Sequence, residues 1–257
     1  NRKDDNDEVI QVRLNEYYSK TVPVAKYYED KGICYPIQGT GTVEEVQARL
    51  DQAVQKSLEN RWANIILFGY PGSGKGTQAK KMAEKYNLVY ISTGKMLRQE
   101  IRKDSEIGRI VKPYMDKGMI VPDEIAIKLI EEKISASPGS RGFIFKGFPR
   151  TMVQAYILDG MLKKMNSGIS LAMELHVSPL EAMKRLAQRS KTDRSRLYDM
   201  DTETIVSRLE EYEQKTILAR NFYEKRHLIK RVPGEGTEEE VFERICQEID
   251  KMLRQAF

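Results

Sequence analysis

Lys75 and Thr77 close the stretch Gly69-Tyr70-Pro71-Gly72-Ser73-Gly74-Lys75-Gly76-Thr77, in which glycines, one ammonium and one hydroxyl are spaced for holding phosphate. The glycines let backbone N–H groups turn inward around phosphate oxygens, where side chains would obstruct them. Lys75 can then reach the outer phosphates, and the Thr77 hydroxyl is the candidate ligand for Mg²⁺. The spacing follows the phosphate-loop pattern with one added glycine. The phosphate-binding candidates are therefore Gly72, Ser73, Gly74, Lys75, Gly76 and Thr77. Two elements must position them. Ile65 to Phe68 is apolar and too short for a helix, which predicts a strand, and Ala79, Met82, Ala83 and Tyr86 recur at helical spacing over Gln78 to Tyr86. The N-terminus of that helix adds partial positive charge to the loop.

The chain has 257 residues, of which 40% are hydrophobic and 32% charged, a composition that supports a sizeable core in one or two domains. The sequence has no apolar run of membrane-spanning length and begins on the charged Arg2-Lys3-Asp4-Asp5, so a cytoplasmic setting without membrane insertion is expected. Cys34 and Cys246 are too few for a tetrahedral zinc site and read as packing residues. The net charge of +5 divides into −2 over residues 1–57 and +7 over the remainder. Scattered basic residues without an aromatic stripe suit an anionic small molecule better than nucleic acid.

Sliding the sequence along itself by 195 positions aligns Arg13 to Leu50 with Arg208 to Ile245 without a gap. Arg13-Leu14, Glu16-Tyr17, Lys20-Thr21, Tyr28-Glu29, Gly41-Thr42 and Glu44-Glu45-Val46 recur as Arg208-Leu209, Glu211-Tyr212, Lys215-Thr216, Tyr223-Glu224, Gly236-Thr237 and Glu239-Glu240-Val241. The period is too long for a solenoid and implies duplication of a whole domain. Residues 1–57 then form the C-terminal remnant of a preceding copy, with a helix over Glu8 to Lys31, a strand over Cys34 to Ile37 and a helix over Val43 to Ser57. The alternative is that this segment is an added lobe. Residues 58–257 form the complete domain. After the phosphate loop, strands are expected at Leu88 to Ser92, Phe143 to Phe145, Ala172 to Val177 and Lys230 to Val232. Helices are expected at Met96 to Lys103, at Ile107 to Lys117 and from Pro122 onward. Strands alternating with helices specify an α/β fold, a parallel five-stranded sheet covered on both faces, with ligands beyond the strands' carboxyl ends.

Gly72 to Thr77, Ile91-Ser92-Thr93-Gly94-Lys95-Met96-Leu97-Arg98, Gly147-Phe148-Pro149-Arg150-Thr151 and Gln154, in this order, resemble adenylate kinase over about residues 61–253. The stretch from Arg2 to Leu14 is similar to the lid exit of a second adenylate kinase. The resemblance implies a P-loop NTPase-like sheet, a small helical AMP-binding flap over 92–121 and a short lid over about 189–199. It implies reversible, Mg²⁺-dependent transfer of a phosphoryl group from ATP to AMP, giving two ADP. Thr93, Arg98, Met119, Ile120, Val121, Gly147, Phe148, Pro149, Arg150 and Gln154 match the AMP contacts. Arg185 and Gly236 match ATP contacts. Lys75, Arg98, Arg150, Arg189, Arg196 and Arg208 match the charged groups that stabilise the transferring phosphoryl, with Arg194 competing for the place of Arg196. A neighbouring adenylate kinase-like copy is the implied macromolecular partner.

Two residues depart from the family pattern. Lys95 and Lys146 stand where aspartates belong, and the second of these normally anchors the water around Mg²⁺. Each exchange adds two units of positive charge. Lys146 could bend to solvent, take over phosphate neutralisation, or mark a copy that binds nucleotide without catalysis. A non-catalytic nucleotide-binding module in a tandem protein is therefore the alternative to an active kinase. His176 and His227 are given no acid or base role, because phosphoryl transfer depends on positioning.

Overall fold

The computed structural model describes residues 7–31, 34–59, 63–191 and 201–255. They fall into two compact units, residues 1–60 and 61–257. Among the described residues no helix is long and apolar enough to cross a membrane.

In the first unit, α1 (Asp7–Glu16), a π-helical turn (Tyr17–Thr21) and α2 (Val22–Asp30) follow one another, and α3 spans Val43–Glu59. The helix expected over Glu8 to Lys31 thus carries one widened turn. The strand expected at Cys34 to Ile37 does not form. A strand is stable only when its N–H and C=O groups are paired, and the five described strands all belong to the other unit. The start of α3 is fixed by a reciprocal cap: Glu45 N donates to Thr42 Oγ1 at 3.2 Å and Thr42 N donates to Glu45 Oε2 at 3.0 Å.

The second unit runs β1 (Ile65–Phe68), α4 (Lys75–Tyr86), β2 (Val89–Ser92), α5 (Thr93–Arg102), α6 (Glu106–Asp116), α7 (Asp123–Ser135), β3 (Phe143–Lys146), α8 (Met152–Lys164), β4 (Leu171–His176), α9 (Pro179–Ser190) and α10 (Thr202–Glu211). A π-helical turn (Tyr212–Thr216), α11 (Ile217–Glu224), β5 (Ile229–Pro233) and α12 (Glu238–Gln255) complete it. The sheet has the order β2-β3-β1-β4-β5, and all its pairings are parallel. Alternate residues of each strand serve opposite faces. Ile66, Phe68, Phe143, Phe145 and Ala172 join one apolar cluster with α7, α8 and α11, whereas Ile65, Leu67, Ile144, Leu171 and Met173 join another with α4 and α12. Full burial of each large side chain stabilises the unit by about 1.5–3 kcal/mol, so both faces of the short strands are held firmly. The strand order reverses at β1, so a crevice opens where β1 and β3 end.

The second unit repeats the first unit's local devices. Its π turn falls at the aligned positions, Glu240 N donates to Thr237 Oγ1 at 3.2 Å, and Thr237 N donates to Glu240 Oε2 at 2.8 Å. Arg244 donates to the carbonyls of Pro233 and Glu235 at 3.0 and 2.6 Å, as Arg49 does to those of Gln38 and Thr40. Burial differs: Tyr212, Phe222 and Tyr223 are in the core, whereas Tyr17, Tyr27 and Tyr28 are 51%, 54% and 45% exposed.

Candidate active site

The phosphate loop leaves β1 at Gly69 and ends where Gly74 starts α4. Gly69 and Gly72 are fixed by space as well as by conformation. A Cβ on Gly69 (φ +134°) would lie 2.5 Å from the Leu175 carbonyl oxygen, and one on Gly72 (φ +91°) would lie 2.5 Å from that of Ala182. Lys75, at the first turn of α4, folds back over the loop. Its Nζ donates to the carbonyl of Tyr70 at 2.5 Å, to Ser73 Oγ at 3.1 Å and to the carbonyl of Gly69. Burial first, and then the charges of Lys146, Arg150, Arg208 and Arg189, push its ammonium well below the usual lysine value. Four cations from β3, the loop after it, α10 and α9 thus converge on the phosphate-loop lysine. An anion of high charge would be attracted to this cluster.

Beside the loop lies a cavity whose lining includes Thr93, Arg98, Lys146, Gly147, Arg150, Gln154 and Arg208. Leu97, Met115, Met119, Ile120, Val121 and Ala126 give it an apolar side. The lining suits a nucleotide, with an apolar wall for a base and guanidinium groups for phosphate. The chain builds it from local devices. Thr93, buried at the start of α5, donates its hydroxyl to the Gly147 carbonyl at 2.5 Å, and Arg150 Nε donates to the same oxygen at 3.1 Å. Phe148 and Pro149 do not line the cavity; they are the turn between these contacts, with Phe148 in the core. The strap from Lys117 to Ile120 is held on α10, where the Ser207 hydroxyl donates to the Lys117 carbonyl at 3.0 Å and Ile120 N donates to Glu211 Oε2 at 3.0 Å.

Gln154 is 1% exposed, and its amide is already engaged. Its Oε1 accepts from Arg150 N at 2.8 Å, and its Nε2 donates to Asp123 Oδ1 at 2.7 Å. One lone pair and one N–H remain for a base edge. Asp123 was not singled out in the sequence; it also accepts from the Thr151 hydroxyl at 3.0 Å and so ties α7 to the start of α8. An acidic residue in the first turn of a helix is ordinary, and nothing in the spacing points to its partner. Gln154→Leu is expected to weaken nucleotide uptake by this cavity about tenfold or more and to lower stability by about 1–3 kcal/mol, because Asp123 and Arg150 N lose their partner. AMP titration and thermal unfolding of the variant check this.

Other expected residues lie elsewhere. Arg185 and Gly236 line a separate open cleft with Ser178, Glu181 and Glu235, and Arg185 is held there by Glu181 at 2.7 Å and by the Gly234 carbonyl at 2.9 Å. Lys95 is exposed on α5 and does not line the nucleotide cavity, so the extra charge at the phosphate site comes from Lys146 alone. Lys95 lies in the first turn of α5, which begins directly after Ser92, three residues before the expected Met96. Arg189 is half-buried in the last turn of α9, and Arg194, Arg196 and most of the expected lid lie outside the described residues.

Strand, glycine loop and helix, with converging cations and a cavity at the crevice of a parallel sheet, define a phosphate-loop NTPase-like fold. The sequence profile of adenylate kinase matches residues 67–228. Adenylate kinases of Flavobacterium psychrophilum and Bacteroides fragilis are 39% and 40% identical to the chain over 189 residues, spanning 74% of this chain and 99% of theirs. That of Thermodesulfovibrio yellowstonii is 36% identical over 212 residues, with 73% and 99% covered. The chain belongs to the adenylate kinase family.

Proposed function

We propose that the second unit catalyses reversible transfer of the ATP γ-phosphoryl group to AMP, giving two ADP. The reading rests on one observation above all: the cavity that holds Thr93, Arg98, Arg150 and Gln154 adjoins the phosphate loop, with cations of four elements converging on Lys75. AMP would lie with its base against the apolar wall and its phosphate on Arg98 and Arg150. ATP would lie on Gly72 to Thr77, where Lys75 exchanges loop carbonyls for phosphate oxygens. Arg189, Arg208 and the expected Arg196 would neutralise charge as the phosphoryl group passes, and no covalent intermediate is needed. Closure of a lid over 189–199 would exclude water.

Mg²⁺, expected with ATP, would arrive on the triphosphate, with the Thr77 hydroxyl as its protein contact. The residues do not otherwise fit a divalent cation held by the protein. The end of β3 presents the Lys146 ammonium, and the described residues contain no group of three His, Cys, Asp or Glu able to hold a metal. Formation of ADP from ATP plus AMP, followed in a coupled assay, tests the activity. ATP uptake without turnover would instead establish the non-catalytic nucleotide-binding module, the reading that Lys146 favours.

For residues 1–57 we propose the C-terminal remnant of a preceding adenylate kinase-like copy. The support is the recurrence, at one offset, of the π turn, the reciprocal cap and the arginine clasp. The tyrosines that are buried in the second unit and bare in the first point the same way. The sequence encoded upstream of Asn1 tests it: a second phosphate loop should stand about 195 residues before Gly72, as the repeat offset requires.

A further inference from the structure

We propose that Lys146 is a phosphate ligand through which this domain captures ATP without a divalent cation. The inference deepens the nucleotide-binding reading and rests on it. Lys146 is the last residue of β3 and lies in register with Leu67 of β1 and Ser92 of β2. It therefore leaves the sheet at its carboxyl edge, between the strand that feeds the phosphate loop and the strand that feeds Thr93. Its half-buried side chain lines the cavity proposed above for AMP, with Thr93, Gly147, Arg150 and Arg208, and its charge reaches Lys75 of the phosphate loop. Among the charged groups around Lys75 its influence is the largest, ahead of Arg150, Arg208 and Arg189. The ammonium thus sits beside the lysine that meets the outer phosphates.

The chemistry differs from that of a carboxylate in kind. A carboxylate at this place repels phosphate and needs a cation between the two; an ammonium has three N–H donors and contacts phosphate oxygens directly. With Lys75, Arg150 and Arg208 already present, a second lysine supplies at the β- and γ-phosphates charge that a metal would otherwise bring. Metal-free ATP carries more negative charge than its Mg²⁺ complex, so this cluster gains from the bare nucleotide what it forgoes from the metal.

Calorimetric titration of the full 257-residue chain with ATP, in EDTA and in excess Mg²⁺, tests the inference, with Lys146→Asp and Lys146→Gln as variants checked for native folding by circular dichroism. The parent is expected to bind ATP in EDTA within about threefold of its affinity in Mg²⁺. Lys146→Asp should bind about tenfold or more weakly in EDTA and recover in Mg²⁺, because two charge units have changed beside the phosphates. Lys146→Gln should weaken in EDTA without that recovery, which keeps the test decisive if the aspartate variant does not fold. Binding by the parent only when Mg²⁺ is present, or equal binding in EDTA by parent and variants, would overturn the inference and leave the phosphate loop in place. No uptake by the parent in either buffer would remove the nucleotide-binding reading itself.

Discussion

Replacing Lys75 with methionine is expected to lower ATP-dependent ADP formation by about 100-fold or more, the usual cost of removing one group aimed at developing charge. Methionine keeps the length and the apolar stem of lysine and removes only the charge and its three donors. The same variant reports on the cluster's electrostatics. Burial and four neighbouring cations depress the Lys75 pKa in the folded domain. Between that depressed value and the ordinary lysine value the unfolded chain binds one more proton than the folded one, so the parent gains stability as pH rises through this window. Lys75→Met lacks the gain. Without nucleotide, the melting temperature of the variant relative to the parent should therefore be highest at low pH and fall as pH approaches the usual lysine value. A constant difference across that range would show that Lys75 carries no electrostatic strain. Turnover retained to within a few fold would remove Lys75 from the reaction.

The parts of this site that the sequence revealed are those made by neighbours along the chain. The phosphate loop was legible because strand, glycines, lysine and helix follow within a few residues, and Gly69 and Gly72 meet Leu175 and Ala182 as close packing demands. The five strands of the sheet were legible for the same reason, since short apolar runs between helical patterns leave little choice. What escaped depends on partners far away. Gln154 has the right type, yet its amide already spans to Asp123, 31 positions earlier, and this contact leaves no mark in the spacing. Position alone puts Lys95 at the phosphate site, whereas its side chain is exposed on α5. Cys34 to Ile37 looks like a strand by its alignment with the region of Ile229–Pro233, but the latter extends along β4, and sequence alone does not supply a partner.

The alignment of the two repeated segments also draws attention to one residue whose loss should cost the fold heavily. Arg220 in α11 is buried and donates to Glu174 of β4 at 2.9 Å and to both carboxylate oxygens of Glu224 at 3.0 and 3.1 Å. The aligned residue of the first unit is Ala25. Glu174 is 14% exposed and lies opposite Phe68 in β1 and Arg231 in β5, so it reaches into the packing between sheet and helix. Arg231 also contacts it at 3.2 Å, but from a side chain 61% exposed and therefore well screened. Arg220→Ala is expected to destabilise the domain by about 3 kcal/mol, because it leaves a carboxylate buried without its principal partner rather than merely removing a contact. Arg220→Ala combined with Glu174→Ala should recover much of that loss, since the stranded charge is then gone. Chemical denaturation of both single variants and of the double variant decides the matter. A double variant as unstable as the sum of its parts would mean that Arg220 acts through packing of its stem and not through charge.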